Sequence, residues 1–336
     1  MSTISVIGGG AWGTALACIV RRAGHEAVMW VREPEVVESI NANLGNPIFL
    51  PDIPIEHDIV ATVDLATSAA NADAILLVVP SQFLRQVVEE LKPGLPENVP
   101  LVICAKGVEH GTCALMTEVV QESAGGQPIA VLSGPTFARE VAGGLPTAVT
   151  LACSDPAIGE RLIELLGGER FRPYLSDDPV GAEIGGSVKN VLAIACGIVT
   201  GKEFGDNARA ALITRGLAEM VRLGLAKGAK FETMMGLSGL GDLTLTCNGP
   251  QSRNMSLGMA IGQGRTLLEI LSERRSVAEG VDSSRSVTAL AEGLNVEMPI
   301  CDSVNRILHQ GEAVDDVIRA LLRRPFRSEI RELDIL

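Results

Sequence analysis

Two kinds of hydrophobic pattern divide the chain. Short apolar runs recur at residues 4–7, 26–31, 59–62, 74–79, 101–105, 129–132, 148–152 and 171–174, and they predict strands. Between them, apolar positions repeat at the helical period over residues 14–22, 34–43, 65–70, 83–91, 113–123 and 158–166. Strands alternating with helices predict a parallel sheet covered on both faces, and the unbroken run Ala74-Ile75-Leu76-Leu77-Val78-Val79 has the composition such burial demands. From Asp177 onward the strand pattern stops and the 3.6-residue period continues alone, so domains are expected at 1–176 and 177–336, the second all-helical. The junction Leu175-Ser176-Asp177-Asp178-Pro179 reads as a helix start, with Ser or Asp to cap and Pro in the first turn.

The first strand runs directly into Gly8-Gly9-Gly10-Ala11-Trp12-Gly13, a Gly-x-Gly-x-x-Gly spacing, and then into a helical stretch. Gly8 lets the chain turn off the strand, Gly10 lets backbone amides approach a pyrophosphate, and Gly13 lets the helix pack closely on the sheet. The helix N-terminus adds unpaired N–H groups and partial positive charge. The plainer alternative is a glycine turn that only joins two elements. The position between strand and helix favours an α/β fold with an N-terminal Rossmann-type doubly wound parallel sheet that binds a dinucleotide. At the tip of the second strand, Arg32 and Glu33 stand where an arginine would accept a 2′-phosphate or an acid would take the ribose 2′-hydroxyl. NADP and NAD are therefore both expected cofactors; a solvated ion pair is the alternative.

Two further strand ends carry polar groups. The run at 101–105 ends in Ala105-Lys106-Gly107, and ligands of open parallel sheets bind beyond the carboxyl ends of the strands, so Lys106 is expected at the cofactor crevice. There it could hold a substrate oxygen or phosphate; otherwise it is a surface lysine. The next run leads into Ser133-Gly134-Pro135-Thr136-Phe137-Ala138, with glycine, hydroxyls and amides for a ligand. The loop Asn46-Pro47-Ile48-Phe49-Leu50-Pro51 reads as a segment laid over a surface.

In the helical half, residues 180–200 read VGAEIGGSVKNVLAIACGIVT, small and apolar around one strong base, Lys189. A helix apolar all round is buried, and an unpaired buried lysine tends to lose proton affinity from its usual pKa of about 10.4. Lys189 is thus the leading acid/base candidate, while Asn190 lies on another face. The bland reading is a structural lysine paired with Glu183 or another acid. A second cluster, GLSGLGDLTLT from Gly236, holds one acid, Asp242, and is followed by Gln251-Ser252-Arg253-Asn254 at a helix start. Ser252 can cap, Arg253 can grip a phosphate bidentately, and Asn254 can bond a hydroxyl or carbonyl.

Composition narrows the partners. With 336 residues, 46% hydrophobic and 21% charged, the chain can build two cored domains. A net charge of −13 argues against nucleic acid or an anionic membrane as partner, though not against a phosphorylated metabolite. The first strand begins too early for a signal peptide, and the apolar run at 184–200 is interrupted by Lys189 and Asn190, so a cytoplasmic protein without membrane insertion is expected. Seven scattered cysteines without a Cys-x-x-Cys or Cys/His cluster read as buried thiols rather than disulfides or a metal site.

Taken in order, GGGAWGTALA, FLPDI, the AKG at Lys106, SGPTFAREVAGGLPTAVT, IGGSVKNVLAIACGI, GLSGLGDLTLTC, QSRNMSLG and AEGV resemble the NAD(P)-dependent glycerol-3-phosphate dehydrogenases of the bacterial type, from Ile4 to about Pro325. The resemblance implies a helical domain like the C-terminal one of 6-phosphogluconate dehydrogenase, and reduction of dihydroxyacetone phosphate to sn-glycerol 3-phosphate for glycerophospholipid synthesis. Lys189 would be the proton acceptor in glycerol 3-phosphate oxidation, and Lys106 would be shared by substrate and cofactor. Gly134, Thr136, Asp242, Ser252, Arg253 and Asn254 match substrate positions; Ala11, Trp12, Arg32, Ala138, Arg253, Val277 and Glu279 match cofactor positions. The family is usually dimeric, so a homodimer is implied. Ala11 stands where many members carry serine, and residues beyond Arg327 match no part of the pattern and are expected to form a tail. Two rival readings are a β-hydroxyacid dehydrogenase acting on a carboxylate, and a module that senses the nicotinamide pool without turnover.

Overall fold

A computed structural model describes residues 1–249, 251–273 and 278–325. The chain forms two compact units: Met1–Lys106 with Leu115–Pro179, and Gly107–Ala114 with the chain from Val180 onward.

The first unit is built on one eight-stranded sheet: β1 (Thr3–Ile7), β2 (Glu26–Trp30), β3 (Ile59–Thr62), β4 (Ala74–Leu77), β5 (Leu101–Ile103), β6 (Ile129–Ser133), β7 (Thr147–Cys153) and β8 (Phe171–Ser176). Their order is β3-β2-β1-β4-β5-β6-β7-β8, so strand order reverses at β1, and the glycine turn leaves its carboxyl end. Helices α1 (Ala11–Arg22), α2 (Pro34–Asn41), α3 (Leu65–Ala69), α4 (Leu84–Leu91), α5 (Met116–Ala124), α6 (Ala138–Ala142) and α7 (Pro156–Leu166) connect the strands. Ile4 and Val6 of β1 share a core with Leu16, Ile19 and Val20 of α1 and with Val36 and Ile40 of α2.

All strand pairs are parallel except β6 with β7, where Ala130 faces Cys153 and Ser133 faces Thr150 in antiparallel register. The sheet is therefore mostly rather than wholly parallel. The reason lies in the connection. A parallel return must carry the chain back along the strand, roughly 16 Å for a strand the length of β6, whereas α6 covers only about 8 Å. The excursion Gly107–Ala114 is a second departure: the predicted helix at 113–123 starts later, at Met116, and Cys113 itself has φ 57°.

The second unit begins with α8 (Pro179–Gly201) and continues through α9 (Gly205–Lys227), α10 (Phe231–Met235), a π-type turn at Leu237–Gly241, α11 (Asp242–Asn248), α12 (Arg253–Gly262), α13 (Leu267–Glu273), α14 (Glu279–Gly293), α15 (Pro299–His309) and α16 (Val314–Leu322). Residues 181–199 of α8 are all buried. Its glycines make this possible: a Cβ on Gly197 would lie 2.1 Å from the Met255 carbonyl, so α8 and α12 cross backbone to backbone. Among the described residues α8 is the one helix long and apolar enough to cross a membrane, but 89% of its most apolar window is covered by the fold.

Glu219 of α9 is buried and caps α15, accepting the N–H groups of Ile300 at 2.7 Å and Cys301 at 3.1 Å. Burial pushes its carboxyl up to about 7, against the opposing pull of those two N–H bonds and of Arg222. All seven cysteines are free thiols, Cys113 half-buried and the others buried.

Candidate active site

The glycine turn in the first unit is shaped by contacts that a side chain would destroy. Gly8 has φ 135°, and a Cβ there would sit 2.8 Å from the Val78 carbonyl; a Cβ on Gly13 would sit 1.9 Å from the carbonyl of Gly8. The first turn of α1 is thus pressed against the strand exit. Gly10 is its N-cap, without a side-chain cap, and faces open space. The N–H groups of Ala11 and Trp12 then belong to the set that helix geometry leaves for an anion. This arrangement fits a dinucleotide pyrophosphate, and the backbone supplies it.

Past the end of β2, the Arg32 guanidinium is 3.1 Å from the Glu33 carboxylate, with the arginine side chain 78% exposed. Beyond β5, Lys106 Nζ donates to the Gly134 carbonyl at 3.4 Å, which also accepts the Thr136 hydroxyl at 3.3 Å. Lys106, Gly134 and Thr136 therefore form one group past the strand ends, and Ala138 opens α6 four residues beyond Gly134.

The second unit gathers its polar groups around α8. Lys189 Nζ donates to Asp242 Oδ1 at 2.5 Å and to Thr246 Oγ1 at 3.0 Å, and the threonine hydroxyl donates to the same carboxylate oxygen at 3.2 Å. The lysine side chain is 7% exposed and the aspartate fully buried. Asp242 and Thr246 reach one lysine because positions four apart share a face of α11. The π-type turn delivers that face: a Cβ on Gly185 would be 2.3 Å from the Ser238 carbonyl, so α8 runs directly against the turn. Of the two readings of Lys189, an unpaired amine or one paired with Glu183 or another acid, the structure shows a pair, with Asp242 as the acid, which opposes the cost of keeping the ammonium charged in a dry site.

Asn190, one position on, joins a different set. Its side-chain carbonyl accepts from Asn254 Nδ2 at 2.9 Å, its amide lies 3.5 Å from Glu279 Oε2, and Asn254 Oδ1 accepts the Gly280 N–H at 2.9 Å. The N-termini of α12 and α14 are thereby tied to α8. Ser252 caps α12, accepting the Met255 N–H at 3.2 Å, and Arg253 is exposed as the first residue of that helix. Val277 and the residues after Arg327 lie outside the described residues. Thr246 and Asn190 were not singled out as site residues from sequence. The signal for Thr246 was the Asp-x-x-x-Thr spacing on a helix; Asn190 shows its value only once α12 and α14 are placed.

A backbone cradle for a dinucleotide at the switch point of the sheet, and a buried amine held by an acid on helices, place the chain among nicotinamide-dependent oxidoreductases that act on a CH–OH group. Residues 3–158 match the profile of the NAD-dependent glycerol-3-phosphate dehydrogenase N-terminus and residues 178–319 that of its C-terminus, so the chain belongs to the NAD-dependent glycerol-3-phosphate dehydrogenase family. It is similar to the glycerol-3-phosphate dehydrogenase [NAD(P)+] of Parvibaculum lavamentivorans, 59% identical over 97% of this chain and 98% of the relative. The enzyme of the same name from Rhodospirillum rubrum is 58% identical over 97% of this chain and 93% of its own length. A crystal structure of glycerol-3-phosphate dehydrogenase from Coxiella burnetii superposes with a TM-score of 0.92 at 43% identity, covering 96% of this chain and 99% of that one.

Proposed function

We propose that this chain reduces dihydroxyacetone phosphate to sn-glycerol 3-phosphate with NADPH or NADH, with Lys189 as the acid/base, and so supplies glycerophospholipid synthesis. The glycine turn, with Arg32 and Glu279 as further contacts, would hold the cofactor, and the chemistry it would supply when bound is hydride transfer to C2 of the ketone. Lys189 gives its proton to the C2 oxygen as charge develops there, and takes it back in the oxidation direction. Asp242 and Thr246 hold the ammonium in one orientation. Lys106, Gly134, Thr136, Ser252 and Asn254 orient the ketone and its hydroxyl, and Arg253 takes the phosphate as a fork matched to its oxygens. A positioned acid of this kind contributes about 10² to 10⁴ in rate.

The observation that supports this most is the Lys189 ammonium itself, buried in an apolar helix and gripped by one carboxylate and one hydroxyl. The test is the loss of reduced-nicotinamide absorbance on addition of dihydroxyacetone phosphate, with NADPH and NADH in turn. Consumption with the phosphorylated ketone is expected, and no reduction of NAD or NADP with 3-hydroxyisobutyrate. The reverse outcome would move the chain to the hydroxyacid class, and binding without any turnover would make it a sensor. The homodimer and the cytoplasmic location belong to the same proposal, checked by sedimentation and by cell fractionation.

A further inference from the structure

The loop between α2 and β3 hides a polar residue. Asn46 is 1% exposed although its neighbours are loop residues and prolines. Each polar atom of its side chain is engaged: Nδ2 donates to the Gly9 carbonyl at 2.8 Å and to Thr14 Oγ1 at 2.8 Å, and Oδ1 accepts the Phe49 N–H at 3.0 Å. The orientation of the amide is forced, because a carbonyl can only accept and an N–H can only donate. Thr14 passes the link on, donating its hydroxyl to the Gly10 carbonyl at 3.0 Å.

Two consecutive carbonyls of the glycine turn are therefore anchored, that of Gly9 by Asn46 and that of Gly10 by both the hydroxyl and the backbone N–H of Thr14, at 3.0 Å each. A trans peptide is planar, with C=O and N–H on opposite edges. Fixing the Gly9 carbonyl inward points the Gly10 N–H outward, and fixing the Gly10 carbonyl does the same for the Ala11 N–H. The Ala11 N–H is one of the cradle amides described above, and the Gly10 N–H lies one residue before it. Without Asn46 the plane between Gly9 and Gly10 would be left to rotate, since glycine has the widest choice of backbone conformations.

We infer that Asn46 is a positioning residue for the dinucleotide: it holds the peptide planes of the glycine turn in the orientation that binds phosphate, without touching the cofactor. The inference rests on the cofactor use stated above. Only an asparagine-like group answers the need. Aspartate would keep the acceptor for Phe49 but set a carboxylate against the Gly9 carbonyl, and alanine would leave that buried carbonyl without its donor.

The test uses the full chain, with NADPH and NADH binding followed by nicotinamide fluorescence, kinetics at saturating dihydroxyacetone phosphate, and melting without ligand. Asn46→Asp is expected to weaken both dinucleotides by about tenfold or more. KM for the dinucleotide should rise by the same factor, with kcat and the KM for dihydroxyacetone phosphate changing less than about threefold, since the lysine cluster lies elsewhere. Thr14→Val removes the relay hydroxyl and should weaken both dinucleotides by a smaller factor; Thr14→Ser, which keeps the hydroxyl, should restore the original affinity. A folded Asn46→Asp with unchanged dinucleotide affinity overturns the inference, as does an equal rise in both KM values. Should the Asn46 variants not fold, unchanged affinity in folded Thr14→Val overturns it. If the unmodified chain bound neither dinucleotide, the cofactor assignment itself would fall; binding by the unmodified chain and equally by the variants would sink this inference alone.

Discussion

The glycine turn and the lysine cluster present charge by opposite means. At the turn, backbone N–H groups do the work, and residues without side chains are required so that α1 can press against the strand exit. At the lysine, side chains do it, and the partners of Lys189 lie 53 and 57 residues further along the chain. A backbone site is therefore written as local spacing, whereas a side-chain site is assembled by packing. The first should fail by losing binding and the second by losing turnover.

The sharpest break in that comparison is Lys189→Ala. Turnover should fall by roughly 10² to 10⁴ while the affinity for NADPH, measured by fluorescence, stays within about threefold. Equal losses in both would mean that the two sites are one. Asp242→Asn comes next and acts on stability. Removing one partner of a buried pair leaves a charge without compensation, which costs about 3 to 5 kcal/mol. Urea unfolding of Asp242→Asn, Lys189→Met and the double variant should give a double variant more stable than the sum of the two losses implies, by at least about 1 kcal/mol. Simple additivity would remove the pair from the account.

These sites also differ in how far they could be read from sequence. Gly8, Gly10 and Gly13 were legible because the strand, the turn and the helix that give them meaning are their immediate neighbours. Lys189 was legible as a charge in an apolar helix, but the acid facing it was not fixed by that pattern, which left Glu183 open. Thr246 escaped because a threonine in a helix is ordinary until its hydroxyl is placed on a lysine. The antiparallel β7 escaped because an apolar run carries no direction; the shortness of α6 carried it instead. Asn46 escaped because its partners stand 37 and 32 residues away in sequence, the same kind of distance that left the pairing of Lys189 with Asp242 open.

A second buried acid in the helical unit sharpens the contrast with Asp242. Glu219 has two N–H groups of α15 where Asp242 has an ammonium, and burial raises its carboxyl from its ordinary 4.5 to about 7. The folded chain therefore holds this proton over a pH range in which the unfolded chain has released it. The contribution is fully present below about pH 4.5 and is lost as pH rises through about 7. Between pH 5 and pH 8 the native chain should lose roughly 2 to 3 kcal/mol more stability than Glu219→Gln. Equal pH slopes for the two chains in urea unfolding would refute it.

At the turn, Gly13→Ala sets a methyl group against the Gly8 carbonyl, where the strand exit must shift to admit it. Overpacking of this kind costs about 1 to 3 kcal/mol. Dinucleotide affinity should drop with it, while kcat at saturating cofactor falls far less than in Lys189→Ala. A variant with native affinity would show that the close contact of α1 is dispensable for binding.

The smallest effect concerns which dinucleotide is held. Arg32 pairs with Glu33 at 3.1 Å, but with its side chain 78% exposed the pair is screened by water and holds the arginine only weakly. Such a guanidinium is free to leave its carboxylate for a 2′-phosphate, which offers a doubly charged partner in fork geometry. Glu33 is less exposed, at 23%, and would serve the ribose hydroxyls of a cofactor lacking that phosphate. Arg32→Ala should therefore weaken NADPH several-fold and leave NADH within about twofold, while Glu33→Ala should do the converse. Because neither substitution touches the glycine turn, the Asn46 anchor or the lysine cluster, kcat with saturating cofactor should stay constant in both. If both cofactors weaken together in Arg32→Ala, the arginine serves the shape of the loop rather than the choice of nucleotide.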